Sequence, residues 1–235
     1  MRNLVWFSCG SASFACLWLL RNEPNLIVAY CDTGSEHPDN KRFMLDAELA
    51  CKVSVLTLKS EKYADHFDVL RKTKYINGAG GARCTVELKK ALRFKFQKEG
   101  DVQTFGYTAD EKHRADRLVT AYPEINARFP LIEKGWNKQD CINLLHRLEI
   151  DIPIMYRLGY DNNNCIGCVK GGAGYWNKIK KDFPDEFNKM AIIEREVGHS
   201  CIKGNFLDEL PENVGHEPKG YEMSCDFVCQ SMEAK

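Results

Sequence analysis

Four groups of residues in this chain combine types and spacings that can do chemistry. The first is Ser8-Cys9-Gly10-Ser11-Ala12-Ser13, between an apolar run over residues 4–7 and another over 14–20. Small residues where a strand hands over to a helix present backbone N–H groups and hydroxyls to an anion. Ser8, Cys9, Gly10, Ser11 and Ser13 are therefore candidate phosphate ligands. The second is Asp32-Thr33-Gly34, after the apolar run 26–30. An acidic residue at the end of a second strand accepts from a ribose hydroxyl. The same tripeptide is also good turn chemistry.

The third group is cysteines. Cys165-Ile166-Gly167-Cys168 is a C-x-x-C in an Asn-rich loop, and the glycine lets both sulfurs face one centre. Such a pair is half of a zinc or iron–sulfur site, a redox dithiol, or two reduced thiols. Cys84 lies about eighty residues earlier, after the Gly-rich stretch 77–81 and at the start of a basic segment. A thiolate at a helix start is stabilised by the dipole. Cys201, Cys225 and Cys229 are candidates for a fourth ligand, and spacing leaves the choice open. We group Cys84, Cys165, Cys168 and Cys201 as the candidate metal set.

The fourth group is basic. Arg83, Lys89, Lys90, Arg93, Lys95 and Lys98 face only Glu87 in the window 83–98. On a helix Lys89, Lys90 and Arg93 broadly share a side, which suits a polyanion or a solvated face. Arg114 and Arg117 follow on the next helix. Lys89, Lys90, Arg93, Arg114 and Arg117 are the candidates for phosphate or sulfate.

Positioning these groups requires a scaffold, and the hydrophobic period predicts one. Strands are expected at 4–7, 26–30, 53–58 and 102–107, with residues 131–132 also extended. Helices are expected at 40–52, 63–72, 85–98, 109–121, 136–148, 176–181 and 184–196. This alternation predicts an α/β fold, a mostly parallel twisted sheet flanked by helices, Rossmann-like. A small irregular and helical C-terminal region follows. In such a sheet the loops after the strands form the ligand crevice. The organisation expected is a nucleotide-binding domain over 1–175 and an extension over 176–235 carrying Cys201, Cys225 and Cys229.

Length and composition agree. The 235 residues suit one α/β domain with a small appendage. With 33 acidic and 33 basic residues, a broad nucleic-acid face is disfavoured, though a local patch is not. No run is clean enough to cross a bilayer, so no membrane partner is expected. The apolar segment 4–20 is broken by Ser8, Gly10, Ser11 and Ser13 and followed by Arg21-Asn22-Glu23-Pro24. It reads as strand, loop and helix rather than a secretory signal. Eleven cysteines, an odd number scattered through apolar segments, fit reduced cytoplasmic thiols better than a disulfide framework.

In order along the chain, these motifs resemble the phosphoadenosine phosphosulfate (PAPS) reductase family, of the adenine nucleotide α-hydrolase-like superfamily. The resemblance spans roughly residues 4–175. Residues 8–13 are similar to its modified PP-loop, and Tyr30-Cys31-Asp32-Thr33-Gly34 to its strand-two signature. Gly106-Tyr107-Thr108-Ala109-Asp110-Glu111 with Arg114 resembles its G-x-R segment. Trp136, Asp140, Ile152-Pro153, Tyr156, Gly159-Tyr160 and the C-x-x-C resemble the stretch that closes its domain. The likeness is strongest to the PAPS reductase-like proteins common in phage genomes.

Departures accompany it. Ala12 stands where pyrophosphatases of the superfamily carry Asp, and Cys9 where they carry Gly. PAPS reductases also lack that Asp, which tilts the reading away from ATP-driven adenylation. Tyr107 and Thr108 occupy the place of the expected Arg, and Cys84 is followed by Thr85 where iron–sulfur relatives carry Cys-Cys. In the tail, Cys225 is the nearest counterpart of the family's nucleophile, with Asp226 replacing Gly and Cys229 following.

The resemblance implies an adenine-nucleotide-binding enzyme of sulfur metabolism, an oxidoreductase in which a thiol attacks a sulfonucleotide and releases sulfite and nucleotide. Cys225 and Cys229 would be catalytic. A [4Fe–4S] cluster, or zinc, or neither, would occupy the thiol set. A thioredoxin-like reductant and a homodimer are also implied. Two other classes stay open: ATP-dependent sulfur transfer to nucleic acid, favoured by the basic helix and the thiols, and a non-catalytic nucleotide-binding or host-interaction protein, favoured by the departures.

Overall fold

The computed structural model describes residues 1–216 and Pro218, Ala79 excepted. Cys225 and Cys229 lie outside the described residues. Five strands, β1 (Asn3–Phe7), β2 (Leu26–Asp32), β3 (Val55–Lys59), β4 (Val102–Thr104) and β5 (Asn126–Arg128), form one sheet in the order β3-β2-β1-β4-β5. Every pairing is parallel, with Asn3 opposite both Leu26 and Val102. The chain moves outward from β1 through β2 to β3, then returns to the other side of β1 for β4. The switch point therefore lies between β1 and β4, where an open α/β sheet forms its crevice.

The alternation of side chains along β1 builds two cores. Val5 and Phe7 face one side with Phe14, Leu17, Phe43, Ile142 and Leu145. Leu4 and Trp6 face the other, with Phe105 and Ile125 and, against them, Leu92, Phe96, Leu118 and Phe129. Helix α1 (Ser11–Leu20) is buried over most of its surface, which is why it is apolar all round rather than amphipathic. Helix α2 (Asn40–Cys51) buries only Phe43, Ala47, Cys51 and Asn40.

Two local expectations change. Leu131 and Ile132 are not extended: they sit in the helical turn Pro130–Glu133, and the strand comes earlier, at Asn126–Arg128. Pro130 presets the φ of a first helical turn, and Leu131 is fully buried there. The basic helix begins at Arg83 and is wound as a π-helix over Val86–Lys90, between α-helical turns at Arg83–Thr85 and Ala91–Phe96. Such wide turns recur at functional sites.

A third core joins helix α3 (His66–Thr73) to the helices Ala173–Asp182 and Pro184–Val197 through Phe67, Leu70, Trp176, Ile179, Phe187 and Ile193. It runs across residue 175. Among the described residues no helix is long and apolar enough to cross a membrane.

Glu194 organises the far side of this core. It is fully buried and accepts the backbone N–H of Cys201 at 2.5 Å and of Leu207 at 2.6 Å. Burial pushes its pKa up, while the two amides work in the opposite direction. Glu194→Ala leaves two amides without acceptors and should cost about 2–4 kcal/mol, lowering the thermal midpoint by about 5–15 °C. A midpoint unchanged in a calorimetric scan would show that Glu194 does not hold this segment.

Candidate functional site

The loop after β1 is closed on itself. Ser13 Oγ accepts from the N–H of Ser8 (3.1 Å) and Gly10 (3.3 Å) and donates to Gly10 O (2.9 Å). Cys9 adopts φ +53°, an uncommon conformation for a residue with a Cβ. Asn163, from the C-x-x-C loop, donates to Cys9 O (2.6 Å) and to Asn40 Oδ1 (2.7 Å) and so lies over the turn. Residues 9–13 are buried and Ser8 is exposed. Ser11 Oγ is buried without a hydrogen-bond partner. On the β4 side, a Cβ on Gly106 would come within 2.9 Å of Ser13 N, so only glycine lets the two strand exits approach this closely.

Asp32, Thr33 and Gly34 form a tight turn. Asp32 Oδ1 accepts from Gly34 N–H at 2.8 Å, and its other oxygen is 3.9 Å from Lys59 Nζ. Gly34 has φ +65°, and a Cβ there would meet Ala64 O at 2.1 Å. Thr33 is buried and its Oγ1 is 3.2 Å from Cys165 Sγ. The turn is thus tied directly to the C-x-x-C, across 132 residues of sequence.

Beside it opens a cleft of about 770 Å³. The structure brings together there Lys89, Lys90 and Arg93 from the 83–96 helix, Arg114 and Arg117 from Lys112–Ala121, and the thiols Cys84, Cys165 and Cys168. Thr33 also reaches it; Ser8 to Ser13 are not among its lining residues. Among the described residues that line it, none is Asp or Glu.

The cations are anchored in different ways. Lys89 Nζ is 3.1 Å from Glu36, whose carboxylate also accepts from Tyr30 Oη (2.7 Å) and Asn40 Nδ2 (2.9 Å). Burial opposes the Lys89 charge, but Glu36 and Cys165 hold its pKa above the usual lysine value. Arg93 lies over the rings of Trp6 (5.3 Å) and Phe105 (4.6 Å), and burial lowers its pKa. Arg114 lies 4.7 Å over Tyr107 and pairs with Glu111. Lys90 Nζ reaches Tyr122 Oη at 3.3 Å, and Arg117 Nε donates to His113 O.

The thiols are held by backbone clamps. Gly167, at φ +75°, curls the C-x-x-C. Tyr175 Oη accepts from Cys168 N–H (2.9 Å) and donates to Cys165 O (3.2 Å). His66, only 1% exposed, places Nε2 3.1 Å from Gly167 O and leaves Nδ1 without a partner. Burial pushes the His66 pKa down to about 4, so the ring is neutral at physiological pH. Burial pushes Cys165 up to about 12, against the pull of Lys89. Cys84 is raised by burial and then by Cys168, and Cys201 by burial and Glu194, with Cys168 and Cys84 adding to it. Cys84, Cys168 and Cys201 are thus electrostatic neighbours, although Cys201 packs against the third core rather than lining the cleft. Among the described residues no three His, Cys, Asp or Glu side chains converge closely enough to hold a metal ion.

Sequence reasoning missed Glu36, His66, Asn163, Lys170 and Tyr175. All but Lys170, which lines the cleft, act through a partner far along the chain or through backbone, which no local spacing reveals. Lys170 alone had a signal: it stands two residues after Cys168.

No family model matches this chain. It is 26% identical over 208 residues to an uncharacterised protein, MJ0066, of Methanocaldococcus jannaschii, an alignment covering 82% of this chain and 41% of that protein. The chain therefore spans about two fifths of that curated relative. Among solved structures it is similar to phosphoadenylyl-sulfate (PAPS) reductase from Candida auris in a phosphate complex, with TM-score 0.51 and 12% identity, over 70% of this chain and 82% of that one. The architecture built up from β1 and its switch point is thus a PAPS reductase-like fold.

Proposed function

We propose that this chain is a nucleotide-binding enzyme of PAPS reductase type, acting on a sulfonucleotide whose anionic end enters the cationic cleft. One observation carries the reading: six cations, Lys89, Lys90, Arg93, Arg114, Arg117 and Lys170, line one cleft with three thiols and, among the described residues, no carboxylate. Guanidinium groups bind phosphate and sulfate through charge-assisted, bidentate hydrogen bonds. In a dry cleft they also stabilise charge developing on a leaving phosphate.

In the reaction, a thiolate attacks the sulfate sulfur of the sulfonucleotide. An S–S bond forms, the S–O bond to phosphate breaks, and the nucleotide leaves with that electron pair. A second thiolate attacks the cysteine Sγ of the resulting S-sulfonate; a disulfide forms, the bond from Sγ to the sulfonate sulfur breaks, and sulfite leaves with that electron pair. Two thiols become a disulfide as the substrate sulfur is reduced, and a dithiol reductant of the thioredoxin class restores them. Cys225 is the proposed nucleophile and Cys229 the resolving thiol. Lys89 and Arg93 hold the substrate's charged end, while Asp32 and the 8–13 loop are the proposed ribose and phosphate contacts.

Cys84, Cys165, Cys168 and Cys201 are the proposed holders of a [4Fe–4S] cluster, or of zinc. They fit in kind, the two thiols of the curled C-x-x-C with Cys84 and Cys201 as neighbours, and would have to draw together to ligate. When bound, such a centre would tie the C-x-x-C loop to Cys84 and Cys201 and so fix one wall of the cleft.

Calorimetry with PAPS, adenylylsulfate and ATP tests the nucleotide reading. A sulfonucleotide should bind, and Arg117→Ala should weaken it about tenfold or more; no binding by any of the three rejects the reading. In a sulfite-release assay with dithiol present, Cys225→Ser should abolish turnover. Retained turnover would exclude Cys225 as nucleophile. Protein purified without oxygen should carry iron and sulfide, or zinc, in stoichiometric amount, and Cys168→Ser should lose it. Metal-free wild-type protein would reject the centre.

A further inference from the structure

We propose that the nucleotide entering this cleft is carried on a single-stranded polynucleotide, with two bases stacking on two separate aromatic–cation stations. The inference rests on reading the cleft as the nucleotide site. It goes further by naming the class of molecule that presents the nucleotide.

The first station is Tyr107. Its ring joins a triangular cluster with Phe105, 6.2 Å away, and Phe129, 5.9 Å away, at interplanar angles of 15° and 16°. Arg114 lies over it at 4.7 Å. The second is Tyr122, 5.4 Å from the Phe94 ring and with Lys90 Nζ 5.7 Å from its centroid. Phe94 is 42% exposed although it is large and apolar. Tyr107, Tyr122 and Phe94 all line the cleft.

A free nucleotide has one base and uses one station. A strand presents a base to each, and successive bases on aromatic side chains along a basic groove are how single strands are bound without sequence preference. A duplex keeps its bases stacked inward, where such side chains do not reach them. The charge distribution agrees. Glu36 and Glu111 are committed to Lys89 and Arg114, while among the described residues Lys90, Arg93, Arg117 and Lys170 have no carboxylate partner. Four cations whose charge no carboxylate offsets can each neutralise a backbone phosphate. The volume, about 770 Å³, lies in the upper part of the range for ligand sites, roughly 300–1,000 Å³.

The test is fluorescence anisotropy with fluorescein-labelled twelve-nucleotide oligo-dT and oligo-U, competed with ADP and with a duplex of equal length. One or both single strands should bind at least tenfold tighter than ADP, and the two arms tell DNA from RNA. The logarithm of affinity should fall with the logarithm of salt concentration with a slope of about 3, as four phosphate contacts on a single strand require. Tyr107→Ala and Tyr122→Ala should each weaken the strand about tenfold, and Tyr107→Phe and Tyr122→Phe, which keep the ring, should retain binding. Strands no tighter than ADP, equal competition by duplex, or Ala variants that bind like wild type would overturn the proposal. If ADP binds and strands do not, the polynucleotide falls and the nucleotide site stands; if neither binds, both fall.

Discussion

The buried carboxylate of Glu36 is the tie on which the site depends. Its side chain is only 3% exposed, yet it takes hydrogen bonds from Tyr30 on β2, Asn40 on α2 and Lys89 on the basic helix. Its own backbone bridges to Cys165. Two neighbouring elements and two segments distant in sequence, at Lys89 and Cys165, thus meet on one residue. An unpartnered charge at this depth would be costly, so carboxylate and ammonium hold each other in place. That pairing, with buried Leu88 beside it, aims Lys89 toward the C-x-x-C.

Close backbone approach is the second constraint. Gly34 touches the chain at Ala64, and Gly106 touches the start of α1. These contacts draw the exits of β2 and β4 around the exit of β1. The C-x-x-C loop then closes from above, with Asn163 on Cys9 and Cys165 on Thr33. The 8–13 loop and the C-x-x-C loop are therefore one packed unit: residues 163–165 cover the 8–13 turn and contribute to one wall of the cleft.

Electrostatics divides the molecule unevenly. A chain with zero formal net charge still gathers six cations in one cleft, because its acids pair elsewhere, as Asp101 does with Arg2 and Asp39 with Arg42. Such a cleft focuses its field locally rather than over the whole surface. Burial keeps Cys165 protonated at neutral pH, so any thiolate chemistry there needs a bound cation or a change in solvation.

Much of this was legible in the residues alone. The apolar runs at 4–7 and 26–30, the alternating run at 53–58 and the helical periods between them depend on neighbours within a few positions, so strand, helix and a mostly parallel order could be read directly. Lys89, Lys90 and Arg93 share a helix, and Cys165 and Cys168 a turn; these local groupings also survived. Even so, Pro130 and a buried Leu131 turned an expected strand into a helical turn, and a π-helical stretch shifted the basic helix. Beyond local reach, sequence was silent. That Cys84, Thr33 and Arg117 border one cavity, that Asn163 covers the 8–13 turn, and that His66 is neutral with a free ring nitrogen follow from packing across three cores. The sequence by itself determined which elements form and what chemistry each can offer. Only the tertiary structure decided which of those offers meet, because convergence is set by contacts between segments that no local pattern connects.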